Sequence, residues 1–266
     1  VDIEPEIIVE LLSSSKPEIT IYEKGWGATY THGLLRPSAL YIPAERFVIV
    51  PVFYNHLSLL LSIYSGISIY RGSMFDEAFK KVGFKVREPI LDYFNIIAHA
   101  LGRNIQDEVL DEGKFEIKNG AIWYIDKRGV KTHISLASSG IAQIIGILLP
   151  IKNTTAQMII VEEPEVNLHP DLQLKVAEYL AKISKKNKIF ITTHSHYLLA
   201  KLANLYALGE IEKLRVYYID PEKQETRELT ILETGEMEMP ESIEKAIDDL
   251  AGESIEIARR FYGEAT

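Results

Sequence analysis

Residues 157–194 read QMIIVEEPEVNLHPDLQLKVAEYLAKISKKNKIFITTH, and this stretch decides the fold. The apolar run at 157–161 predicts a fully buried strand, and 188–193 predicts a second one. Between them, residues 171–185 carry apolar side chains at helical spacing, which predicts an amphipathic helix. Strand, helix and strand of these lengths form a βαβ unit with parallel strands. The sequence therefore predicts an α/β fold with a mainly parallel sheet.

Polar side chains follow both predicted strands. Glu162 and Glu163 come directly after the first strand, and His194 ends the second. Ligands of parallel sheets gather beyond the carboxyl ends of the strands. A charged pair beside a buried strand is costly unless it meets a cation or water. One carboxylate can therefore hold Mg²⁺ while the other faces a nucleophilic water, and the imidazole can hydrogen-bond a terminal phosphate.

A second candidate site lies upstream, where Ser138, Ser139 and Gly140 precede an apolar run. Residues 140–149 are apolar nearly all round, which predicts a buried helix that Pro150 ends. A helix start offers free backbone N–H groups and a partial positive charge. The segment therefore suits an anion such as a γ-phosphate.

Three segments, in this order, resemble the motifs of a known family: SLASSGIAQ (135–143), MIIVEEPEVNLHP (158–170) and IFITTHSHYLL (189–199). They are similar to the signature, Walker B/D-loop and switch-histidine motifs of ABC-type ATPases. More narrowly, they resemble the branch that holds chromosome-maintenance and recombination ATPases and the overcoming-lysogenization-defect (OLD) family. The resemblance implies a P-loop NTPase-like (ABC-type) lobe with a helical subdomain. It also implies ATP and Mg²⁺ as cofactors, and a homodimer that forms on ATP.

The resemblance implies roles for three residues at the strand ends. Glu163 matches the catalytic base, and His194 matches the switch histidine. Glu162 falls where many relatives have the aspartate that acts on Mg²⁺ from the outer coordination sphere. Glutamate is longer by one methylene, so its distance to the metal differs from that of the relatives.

The resemblance implies nucleotide contacts across a dimer for a further set. Its members lie in the signature segment or the D-loop segment, and they are Ser138, Ser139, Gly140, Asn167 and His169. An alternative for His169, and for Glu165 near it, is that they cap the helix predicted at 171–185. The two interpretations stay open at this point.

The phosphate-binding loop of such ATPases is missing. A Walker A loop has the form G-x-x-x-x-G-K-S/T, and none occurs in the 266 residues. The expectation is that an N-terminal lobe has been removed, is not included or is encoded elsewhere. The chain alone is then expected to bind ATP weakly and to hydrolyse none.

The expected domain organisation has four parts. Residues 1–50 are a remnant of an N-terminal β lobe, and 51–112 form a helical insertion or subdomain. Residues 113–220 are the ABC-type ATPase core with the signature, Walker B and switch-histidine motifs. Residues 221–266 form a C-terminal hairpin and helix.

Composition narrows the function classes. The net charge is 29 − 38 = −9, whereas a protein surface that coats DNA uniformly is positively charged. Contact with DNA or with a partner protein through an intact assembly stays open. The absence of cysteine excludes disulfides and thiol chemistry. Residues 47–70 carry no charged side chain, but Pro51 and several polar residues interrupt them, so a buried strand and helix are expected rather than a membrane span. A cytoplasmic protein is expected, and the many Ile, Glu, Lys and Tyr residues favour a heat-adapted source.

Two other functions remain open from the sequence. The first is a metal-dependent hydrolase that uses a cluster of acidic and histidine residues, namely Glu162, Glu163, His169, His194 and His196. The second is a non-catalytic module that senses nucleotide through a partner that supplies the phosphate-binding loop.

Overall fold

The structure is a computed structural model, and it describes residues 6–12, 39–44, 46, 88–220 and 223–262. In these residues the strands are β1 (Glu6–Leu12), β2 (Ala39–Ile42), β3 (Ile105–Glu108), β4 (Gly113–Lys118), β5 (Ala121–Asp126), β6 (Lys131–His133), β7 (Met158–Glu162), β8 (Lys188–Thr193), β9 (Lys213–Asp220) and β10 (Glu225–Leu229). The α-helices are α1 (Glu88–Leu101), α2 (Ser139–Asn153), α3 (Pro170–Ser184), α4 (His196–Ala207) and α5 (Glu241–Tyr262).

The larger sheet within the described residues has six strands in the order β10-β9-β1-β8-β7-β2. Strands β2, β7 and β8 are parallel neighbours, with Ile42 opposite Val161 and Val161 opposite Ile191. Because α3 connects β7 to β8, the predicted βαβ unit is confirmed. Strand β1 was not predicted, and it lies antiparallel between β8 and β9. The sheet is therefore mixed, with a parallel part that ends in the candidate residues.

A smaller sheet of four antiparallel strands, β3-β4-β5-β6, leads into the second candidate site. Strands β4 and β5 form a hairpin, and its turn residues Asn119 and Gly120 both have positive φ, as a tight hairpin turn requires. A 3₁₀ turn at Ile134–Leu136 follows β6 and connects it to the start of α2.

Helix α2 is buried along most of its length, as predicted, but the prediction that Pro150 ends it is wrong. Pro150 has no N–H to donate to the carbonyl of Gly146, four residues earlier. The hydroxyl of Tyr93 donates to that carbonyl instead, at 3.1 Å. The hydrogen bond lost to proline is thus replaced from α1, and the helix continues to Asn153.

Some predictions fall outside the described residues. They concern the uncharged stretch at 47–70 and most of the helical subdomain at 51–112, of which the structure describes 88–112. Across the described ranges, no helix has both the length and the apolar character that a membrane crossing needs.

Candidate active site

The carboxyl ends of β2, β7 and β8 meet at one edge of the sheet. We call this region the carboxyl edge, and it comprises residues 43, 44, 46, 162–165 and 192–194. It contains Glu162, Glu163 and His194, the three residues predicted to act on nucleotide and magnesium from the strand ends.

Glu163 and His194 lie side by side. The distance from Glu163 Oε1 to His194 Nε2 is 3.8 Å, and the two side chains are 35% and 38% exposed. An ion pair this open to water contributes little to stability. Both side chains are thus available to a ligand at the sheet edge, and the structure brings the two predicted catalytic residues together.

The backbone of Glu163 is held in an unusual conformation. Its φ is +40°, in the left-handed region that costs a non-glycine residue about 1–2 kcal/mol. Its N–H donates to the Thr192 carbonyl at 2.9 Å, and its own carbonyl accepts from Arg46 Nη2 at 2.9 Å. Because both backbone groups are fixed by other segments, the conformation that turns Glu163 toward β8 is retained.

Arg46 is the cation of the carboxyl edge, and it is fully buried. Its Nη1 donates to the carbonyls of Pro43 at 3.0 Å and Glu162 at 2.8 Å. Burial lowers the pKa of Arg46 to about 10, while Tyr93 and the nearby carboxylates oppose that shift. The guanidinium therefore stays protonated at neutral pH and ties the end of β2 to the end of β7.

Glu162 turns to the other side of β7. Its Oε2 accepts from the hydroxyl of Tyr41 and from the N–H of Ala44, the latter at 3.2 Å. Both contacts come from β2 and the residues after it, so the carboxylate is oriented before any ligand binds. Magnesium that arrives with a nucleotide uses only one or two protein carboxylates. The donor set at this edge fits such an ion, with Glu162 as the residue that would hold it.

Glu165 does not cap α3, so that alternative is wrong for this residue. Its Oε1 accepts from the hydroxyl of Thr193 at 2.6 Å and from the N–H of His194 at 2.7 Å. The Glu165 carboxylate therefore holds the end of β8. Glu165 lies only two residues after Glu163 in the sequence, but its contacts are with the neighbouring strand.

The second candidate site, the α2 start, comprises residues 138–141. Ser138 is the N-cap, and its hydroxyl accepts from the N–H of Ile141 at 3.4 Å. Ser138 lines an open depression of about 430 Å³ that also includes Glu112, Tyr124 and Asp126. The predicted helix opening is confirmed, and it faces a surface depression rather than the pair of Glu163 and His194.

The turn after β7 approaches the α2 start. A methyl group added at Gly140 would lie 3.4 Å from the Asn167 carbonyl oxygen, so little space separates the two segments. Asn167 itself is exposed and has φ of +59°, which asparagine tolerates. His169 is the N-cap residue of α3 but makes no side-chain capping bond, and its Nδ1 lies 3.4 Å from Asp171 Oδ2. Both Asn167 and His169 therefore face solvent.

The metal-hydrolase alternative is not supported by this arrangement. Among the described residues, no group of three or more histidine, aspartate and glutamate side chains is placed to hold a metal ion. His169 is 73% exposed, whereas His196 has a buried Nδ1 with no hydrogen-bond partner in the described part. The histidines of the proposed cluster thus occupy different environments.

Comparison with known protein families gives a match over the middle part of the chain. Residues 73–199 match the family model of the AAA ATPase domain. The match supports an AAA-type ATPase. It spans the α2 start, β7, α3, β8 and His194, and it agrees with a P-loop NTPase-like α/β fold. Nucleotide binding, typically with Mg²⁺, is what such a family implies. No curated protein matches the chain.

Sequence reasoning missed two features of the carboxyl edge, namely Arg46 and the contact of Glu165 with the end of β8. Arg46 binds the carbonyl of Glu162, which lies 116 residues away, and Glu165 binds the N–H of His194, which lies 29 residues away. Only their positions in the sequence could have indicated these contacts. Arg46 comes shortly after a short buried strand, and Glu165 comes after the proline that follows Glu162 and Glu163.

Proposed function

We propose that this chain supplies the hydrolytic residues of an ATPase head of the ABC type, in the branch of OLD-like and chromosome-maintenance ATPases. The observation that carries the proposal is the distance of 3.8 Å between Glu163 and His194 at the ends of neighbouring parallel strands. The ordered motifs around them and the match to an AAA ATPase domain support it.

The two side chains have complementary roles. Glu163 orients the attacking water and accepts its proton, because a carboxylate within hydrogen-bond reach of the nucleophile can do both. His194 donates a hydrogen bond to the terminal phosphate, where negative charge accumulates. Glu162, oriented by Tyr41 and Ala44, would hold the shell of a magnesium ion bound with the nucleotide, and such an ion would neutralise phosphate charge.

The remaining predicted contacts act between two subunits. Ser138, Ser139 and Gly140 lie at a helix start that opens to the surface, so their hydroxyl and N–H groups address a nucleotide held by a second copy. Asn167 and His169 are exposed beside them and contact the opposite subunit. The grip on the α- and β-phosphates comes from a Walker A lobe outside the 266 residues, and the chain alone hydrolyses no ATP.

The experiment measures steady-state ATP turnover of the full natural chain together with the lobe that carries the phosphate-binding loop. Glu163→Gln is expected to lower kcat by about 10²–10⁴-fold, because the amide cannot accept the proton of the water. The matched control is Glu178→Gln on α3, whose carboxylate pairs with Lys201 and is half exposed. Equal turnover of Glu163→Gln and the unsubstituted protein would refute Glu163 as the base.

A nucleotide-sensing module without hydrolysis is a distinct outcome of the same measurement. In that case the reconstituted protein binds ATP with a Kd that depends on His194, but neither the unsubstituted protein nor Glu163→Gln releases phosphate.

A further inference from the structure

We propose that Glu165 is a positioning residue that sets His194 against the terminal phosphate and links it to the exposed turn at 166–169. This inference rests on the proposed function, because it concerns how the same site is assembled.

The first step is the place of His194 relative to the sheet. The last residue of β8 that pairs with β7 is Thr192, opposite Glu162, so the N–H of His194 lies beyond that ladder. Glu165 Oε1 accepts this N–H at 2.7 Å. A charged acceptor makes a stronger hydrogen bond than a neutral one, so the carboxylate fixes the backbone from which the imidazole projects.

The second step is that the same oxygen also holds Thr193, whose side chain is fully buried. Thr193 Oγ1 donates to Glu165 at 2.6 Å and accepts from the N–H of Ser195 at 3.0 Å. The residues on both sides of His194 are therefore connected to one carboxylate, directly or through one hydroxyl. Rotation of the backbone at His194 would break these bonds.

The third step is that the connection closes into a ring. Ser195 Oγ donates to Gln173 Oε1 at 2.5 Å, and Gln173 Nε2 donates to the Leu168 carbonyl at 3.0 Å. The N–H of Leu168 donates back to the carbonyl of Glu165 at 2.9 Å. The ring thus joins the turn after β7, the end of β8 and the first turn of α3.

The ring reaches the exposed residues of the turn. Asn167 and His169 flank Leu168 and are exposed, whereas Leu168 itself is buried. The ring of hydrogen bonds therefore connects this turn to the backbone of His194. Glu165 is the member of the ring that touches the backbone of the histidine.

The experiment is a double-mutant cycle on ATP turnover in the protein together with the lobe proposed to carry the phosphate-binding loop. Glu165→Ala is expected to lower kcat by roughly 10–100-fold with the ATP KM unchanged, because misplacement of a catalytic group costs rate rather than binding. In a His194→Ala background the same substitution is expected to cost less than twofold. Glu165→Gln retains an acceptor oxygen and should recover most of the rate, and Glu178→Ala serves as the matched control.

The outcomes separate the two hypotheses. A role in stability alone predicts the same loss from Glu165→Ala with and without His194, and that result would overturn this inference while leaving Glu163 as the base. Full turnover by His194→Ala would overturn the proposed role of His194 and this inference with it. If Glu165→Ala does not fold, Glu165→Asp replaces it in the cycle, because the shorter carboxylate cannot reach both donors, and the same criterion applies.

Discussion

The carboxyl edge and the α2 start were both predicted to touch nucleotide, yet they are built differently. At the carboxyl edge, three strand ends are tied together by a fully buried arginine and by side chains that accept backbone N–H groups. At the α2 start, one hydroxyl caps the helix at 3.4 Å beside an open depression. The edge is organised within the chain before a ligand arrives, whereas the helix start presents its polar groups outward.

The largest expected effect comes from removing the cation of the carboxyl edge. Arg46→Met keeps the volume of the side chain but leaves the carbonyls of Pro43, Glu162 and Glu163 without their donor. Each buried carbonyl left without its hydrogen bond costs about 1–3 kcal/mol, so the loss of all three is expected to lower the free energy of unfolding by about 3–5 kcal/mol. Urea denaturation followed by circular dichroism checks the value.

The control for that substitution is Arg128→Met, since the Arg128 side chain is 83% exposed and pairs with Asp126. It is expected to cost less than about 1 kcal/mol. If the two variants unfold at the same urea concentration, the carboxyl edge is not organised by Arg46 and the contrast between the regions is lost.

A smaller effect is expected at the α2 start. Ser138→Ala removes the N-cap bond to Ile141, and loss of such a cap costs roughly 0.5–2 kcal/mol of unfolding free energy. The low end is expected because the bond is long. Thermal unfolding of Ser138→Ala against Ser139→Ala, which alters the first helical residue, measures the difference. If Ser138→Ala lowered the free energy of unfolding as much as Arg46→Met does, the α2 start would not be the less tightly held of the two regions.

The smallest effect concerns the rim of the depression, where Glu112 pairs with Lys175. The hydrogen bond from Lys175 holds the pKa of Glu112 below its usual range. A lowered pKa in the folded state means that the pair stabilises the fold above the ordinary glutamate pKa, and that this stability is lost as pH falls through the lowered value. Lys175→Met should remove about 0.2–1 kcal/mol at pH 7 and leave less difference at pH 3. Chemical denaturation at both pH values checks the sign, and a difference that grows toward pH 3 would contradict it.

The parts of the fold that were predictable have a local periodic signal. Strand β7, helix α3 and strand β8 lie within one residue of their predicted bounds, because apolar spacing there reflects burial directly. The end of α2 was missed because the hydroxyl that replaces the Pro150 hydrogen bond belongs to Tyr93, 53 residues before its acceptor Gly146. Strand β1 was missed for a related reason, since both of its partners lie more than 170 residues further along the chain.

The candidate site shows the same limit. The neighbourhood of Glu163 and His194 followed from parallel strands that end together, so their order and spacing sufficed. The left-handed backbone of Glu163 and the contact of Glu165 with His194 depend on carbonyl and amide groups, which carry no residue-specific signal. Sequence reasoning therefore placed the two candidate side chains together but did not find the groups that orient them.

The most direct test is the location of a terminal phosphate. A crystal structure of the protein together with the lobe proposed to carry the phosphate-binding loop, a non-hydrolysable ATP analogue and Mg²⁺ would give it. The expected result is a γ-phosphate oxygen within about 3.2 Å of His194 Nε2, with a water between that phosphate and the Glu163 carboxylate. A nucleotide bound elsewhere, with Glu163 and His194 both facing bulk solvent, would contradict the proposed ATPase site.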